Sequence, residues 1–154
     1  MQAGGAYSES TERRRPLMSR FDPSSHPTFQ QLENVRNALL RLHKVLLDGE
    51  RIRYEKDHGS ITTPQMFLQL AIHDPAFNWL HRLSELVVQI DEATEDKQST
   101  ITTQKAAALL AEAKLLLTPQ AGDEESFGHH YYEAIQSNGG VATMHAELHQ
   151  LLEG

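Results

Sequence analysis

Between residues 32 and 46 the apolar side chains fall at Leu32, Val35, Leu39, Leu42 and Leu46. Steps of three and four residues in alternation return to one side of an α-helix and to neither face of a strand. Leu40 and Leu47 widen the ridge. Pro27 suits a first helical turn, Thr28 with Gln31 has capping-box spacing, and Gly59 follows His58 as a left-handed stop. These signals predict one helix over 27–58, about 46 Å long, with Gly49 as its weak point.

The rest of the chain carries the same period. Thr63-Pro64 reads as a cap and first-turn proline for a short helix over 64–73 that buries Met66, Phe67 and Leu70. Asp74-Pro75 repeats the signal, restarting or kinking the chain. Trp79, Leu80, Leu83, Leu86, Val87 and Ile90 then lie within a sector of about 120° when each residue advances by about 100°. This amphipath fades over 95–98. Thr100 to Thr103 cap an alanine- and leucine-rich helix over 106–117, whose small side chains permit close approach, and Thr118-Pro119 ends it. After a polar loop over 120–125, a helix carries Phe127, Tyr131 and Ile135 and stops at Asn138-Gly139-Gly140. A last helix over 141–152 carries Val141, Met144, Leu148, Leu151 and Leu152. No stretch alternates as a strand would, so the class is all-α. Connections of mostly four to seven residues favour antiparallel neighbours. The expected architecture is an antiparallel up-down bundle of four to five helices, one domain over 27–154. Residues 1–26, rich in Gly, Ser, Arg and Pro and without periodicity, are expected to form a disordered tail.

Composition narrows the function classes. The chain has 154 residues, no cysteine and a net charge of −7. Thiolate chemistry and disulfides are therefore excluded, and the reading is cytoplasmic. A nucleic-acid footprint needs a basic face; Arg13-Arg14-Arg15 is the sole basic cluster, and Glu9 and Glu12 flank it. No apolar run approaches the roughly 20 residues that span a bilayer, and the N-terminal residues lack the apolar stretch of a secretory signal. Neither a nucleic-acid nor a membrane partner is expected.

Nine histidines invite a metal reading. His81 with Glu85, His129 with Glu133, and His145 with His149 each share a helix face at four-residue spacing. The direction in which they face argues against a metal: His81 and Glu85 lie about 160° or more from their helix's apolar sector, on the water side. Glu55-x-x-His58 has the spacing used in di-iron bundles but occurs once where that pattern needs it twice. His145 and His149, at the boundary of the last helix's stripe, remain the metal candidates, and no cofactor is expected. His43 sits at the core edge and is read as a neutral, hydrogen-bonded core histidine.

The most informative break lies past Leu46. The ridge continues onto Gly49 or Glu50, then Arg53, then Asp57, with Tyr54 alongside. Burying such groups unpaired costs several kcal/mol each. Either this end overhangs the bundle, or its charges pair with one another and with the next helix. If the hairpin through Gly59 brings them beside Met66, Phe67, Leu70 and His73, then Glu50, Arg53, Tyr54, Asp57, His73 and Trp79 form a ligand-binding candidate. Arg53 would take an anionic group, Glu50 or Asp57 would orient it, and His73 would titrate near neutrality.

No nucleophile elbow, phosphate-cradling glycine loop or H-E-x-x-H occurs, so the expected role is non-catalytic. Protein–protein interaction or self-association comes first, through Phe127, Tyr131 and Tyr132 or through Met144, Leu148 and Leu151 as an exposed apolar face. A small-molecule or metal-binding bundle using the polar cluster of the first helix is the alternative.

Overall fold

The computed structural model describes residues 26–95, 101–120 and 124–153. The expected tail up to residue 25, the end of the third amphipath with Thr100, and positions 121–123 of the polar loop lie outside them.

The described residues are all-helical, with six α-helices and one 3-10 helix. Helix α1 spans Pro27–His58 and α2 Pro64–His73; the 3-10 helix Pro75–Leu80 leads into α3, His81–Glu95. They are followed by α4, Thr103–Leu116; α5, Phe127–Ser137; and α6, Gly139–Glu153.

Local chemistry sets these boundaries. The His26 side chain, not Thr28, caps α1, its Nδ1 accepting from the Thr28 amide at 3.1 Å. Thr63, Thr102 and Ser126 each accept from the amide three residues on, which starts α2, α4 and α5. Asp74 caps the 3-10 helix, and Asn138 accepts from the Gly140 amide at 2.9 Å at the start of α6. Gly59 ends α1 at φ 88°, a backbone region open to glycine. The helix runs unbroken through Gly49.

The core is one cluster. Leu32, Val35, Leu39, Leu42 and Leu46 of α1 are all buried, as the ridge predicts, and they meet Leu83, Leu86, Val87 and Ile90 of α3. Ala106, Leu109 and Ala113 of α4, Phe127 and Tyr131 of α5, and Val141 and Leu148 of α6 complete it. Helix α1 packs against α3, α4, α6 and the 3-10 helix, so it is the central element.

Long-range pairs fix the alignments. Arg36 grips Asp91 with Nε and Nη2 at 2.7 and 3.3 Å, and Gln31 donates to the Leu151 carbonyl at 2.8 Å. Arg41 meets Glu147 at 2.9 Å, and Lys114 meets Glu153 at 3.0 Å. None of the described helices is long and apolar enough to cross a membrane.

Three expectations are corrected. Helix α2 buries none of its residues; Phe67 and Leu70 are half-buried and Met66 is exposed, because only one side of this short helix meets the 3-10 segment. His81 is half-buried rather than in water: α2 folds back over it, and its Nε2 donates to the Ala71 carbonyl at 3.0 Å. Phe127, Tyr131 and Leu148, expected on an exposed face, are buried, since α5 and α6 close over α1 and Trp79.

Candidate functional site

Glu50 is the one buried polar or charged side chain among the described residues, 7% exposed. It lies one turn past Leu46, still on the inner side of α1, where the 3-10 helix brings Trp79 opposite. The indole Nε1 donates to Glu50 Oε1 at 3.2 Å. Trp79 is itself fixed on its other faces: His130 stacks on it at 5.0 Å and 15°, and Phe127 tilts against it at 5.3 Å.

Arg53 stands one turn further on. Its Nη1 is 3.7 Å from Glu50 Oε1, but the side chain is 59% exposed. Here α1 begins to leave the core. Asp57 and His58, another turn along, are exposed.

A cleft of about 240 Å³ opens over this point between α1 and the α5–α6 junction. Glu50, Arg53 and Lys56 line it from α1, Trp79 forms part of its floor, and Ser137 and Asn138 stand on the far wall. Gly49 also lines it, and a Cβ there would meet nothing within 4 Å.

Three of the six ligand-binding candidates, Glu50, Arg53 and Trp79, thus converge. Tyr54 turns to the other flank of α1, stacked on His58 at 4.3 Å and 6.0 Å from Phe77. Asp57 and His73 are exposed and line no part of the cleft. The hairpin does not bring the charged stripe against α2. Arg51 and Glu55 hold α2 instead: Arg51 lies over the Phe67 ring at 4.8 Å and donates to the Ile61 carbonyl at 3.3 Å, while Glu55 accepts from the Ile61 amide at 2.8 Å. Sequence reasoning passed over Arg51 and weighed Glu55 only for its three-residue spacing to His58. Their one signal was four-residue spacing off the apolar stripe, which any solvated pair shares. His130 was equally silent, being one of two adjacent histidines.

At the other end, His145 Nδ1 shares a hydrogen bond of 2.9 Å with the hydroxyl of buried Tyr131. Burial holds His145 below the ordinary imidazole range, with the neighbouring His149 adding to the effect, and burial raises the Tyr131 phenol. His145 and His149 line a second, more apolar cleft of about 240 Å³ with Lys114, Leu117 and Leu148. No group of three or more His, Cys, Asp or Glu among the described residues is placed to hold a metal ion. His43 is half-buried, and its imidazolium is disfavoured first by burial and then by His81.

The second feature of note is a surface. Leu68 and Ile72, one turn apart on α2, are 56% and 48% exposed, and Met66 is 41% exposed. No other described helix carries three large apolar side chains this open.

Comparison of the chain with protein-family models, with curated proteins and with solved structures finds no match in any of the three.

Proposed function

We propose that this is a non-catalytic, cytoplasmic helical protein that acts through protein–protein contact, and that the outer face of α2 pairs with a second copy of the chain. The observation that carries the reading is Leu68 and Ile72, an apolar pair at open helical spacing on a helix with no buried residue. Helices dock on partners through such side chains one turn apart.

Local charge does not oppose a second copy as the occupant. The chain carries a net −7, yet the segment over 64–73 contains no Lys, Arg, Asp or Glu. A copy approaching this face meets no like charge, and a two-fold contact needs a self-complementary patch. Ten residues of helix make a strip about 15 Å long. At a helix width of about 10 Å such a strip covers on the order of 150 Å², well short of the roughly 800 Å² per partner of stable complexes, so the pairing is weak and depends on concentration.

The scaffold behind α2 is, in this reading, an antiparallel up-down bundle of α1, α3, α4 and α6, with α2 and α5 as short additions. Support for running α3 and α6 antiparallel to α1 comes from pairs joining early residues of one to late residues of the other: Arg36 with Asp91 and Glu50 with Trp79, then Gln31 with Leu151 and Arg41 with Glu147.

Light scattering across a concentration series tests the association. The mass should rise above 17.4 kDa as concentration increases, and Leu68→Glu with Ile72→Glu should hold it at the monomer value. A wild-type mass that stays monomeric throughout would reject self-pairing.

A further inference from the structure

We infer that the cleft over Glu50 binds a zwitterionic small molecule of amino-acid size, with its ammonium on Glu50 and its carboxylate on Arg53 and Lys56. The inference is independent of the role given to α2.

The carboxylate is the starting point. Its side chain is 9% exposed, and a buried charge is costly unless several donors satisfy it. Glu50 Oε1 has one hydrogen bond, from Trp79 at 3.2 Å; Arg53, at 3.7 Å from the same oxygen, stands outside hydrogen-bond reach. Oε2 accepts no hydrogen bond from any described residue. Nor is it sealed, since the one sealed and unpartnered side-chain atom among those residues is His129 Nδ1. Glu50 lines the cleft, so the open acceptor is presented there. An ammonium placed on it makes a charge-assisted hydrogen bond in a partly dry site.

The rest of the α1 wall has the opposite sign. Arg53 and Lys56 lie one and two turns beyond Glu50, both exposed, and Lys56 forms no ion pair with any described residue. A guanidinium fork and a free ammonium at the mouth suit a carboxylate. A simple cation would be repelled by these two groups, and a simple anion by Glu50. A molecule carrying both charges is favoured over either. Size adds a bound: about 240 Å³ is below the roughly 300–1,000 Å³ of pockets for drug-sized ligands.

Trp79 is the only tryptophan in the chain, and its N–H rests on Glu50, so indole fluorescence reads the site directly. The full chain is titrated with each of the standard α-amino acids. At least one should give a saturable change with a Kd below about 1 mM. Its amide, lacking the carboxylate, and its N-acetyl form, lacking the ammonium, should each bind about tenfold more weakly or worse. Glu50→Gln should abolish the response with an unchanged circular dichroism spectrum. If Glu50→Gln fails to fold, exposed Lys56→Ala carries the test, with several-fold weaker binding expected. The inference is overturned by no saturable change up to about 10 mM, by blocked derivatives that bind as well as the parent, or by a folded variant that binds like wild type.

Discussion

Glu50 and Arg53 are one helical turn apart, yet they belong to different environments. Glu50 accepts the only hydrogen bond given by the Trp79 indole and is almost sealed from water. Glu50→Ala leaves that N–H without its acceptor, and chemical denaturation should show a loss of about 1–3 kcal/mol. Arg53 is mostly in water, where ion pairs are screened, so Arg53→Ala should change stability by no more than about 0.5 kcal/mol. A large loss in the second variant with none in the first would invert this assignment. Histidines add a pH dependence with a fixed sign. His43 and His145 are held below 6.5 in the folded chain, chiefly by burial, with His81 and His149 facing them. Below that pH the unfolded chain binds more protons, so stability is complete above about pH 6.5 and declines as the solution is acidified. The Lys114 pair holds Glu153 below 4.5, so its contribution is lost only at lower pH. Thermal unfolding at about pH 7.5 and about pH 5.5 should show the lower midpoint in acid, and His43→Asn with His145→Asn should flatten the difference.

At the level of the element, Gly59 is the position among the described residues where backbone geometry restricts the residue. It turns the chain from α1 to α2 at φ 88° and ψ 172°, a region essentially confined to glycine. Gly59→Ala should cost about 1–3 kcal/mol, measured by denaturant unfolding, although an added Cβ meets no neighbour within 4 Å. The loss is therefore conformational and not steric. The helices themselves were legible in the sequence, because period and caps are local. Leu32 to Leu46 named the buried side of α1 correctly, and proline with Thr63 marked the start of α2. What each helix touches was not legible. Phe127 and Tyr131 look identical on a helical wheel whether they face a partner or a core, and only the return of α5 over Trp79 decides it. For the same reason Met66 reads as core beside Phe67 and Leu70 in a short apolar segment but stands in the open.

On the scale of the whole molecule, the length of α1 organises everything else. Its first turns, through Leu46, are enclosed by α3, α4 and α6, and its last turns pass beyond them. The break from leucine to charge marks that passage, and it was visible in the sequence as a polar stripe. Which residues would fall on either side of it was not, since a single turn separates buried Glu50 from exposed Arg53. Where α1 leaves the bundle, Arg51 and Glu55 fasten the loop before α2 and leave the outer side of that helix uncovered. The proposed pairing surface is thus a consequence of one helix being longer than its neighbours.

Hydrogen exchange, followed by mass spectrometry at low and high protein concentration, reads that surface directly. Amides over 64–73 should exchange more slowly at the higher concentration, with the core of α1 unchanged and the effect gone in Leu68→Glu with Ile72→Glu. Exchange over 64–73 that is independent of concentration, or slowing confined to another helix, would contradict the account.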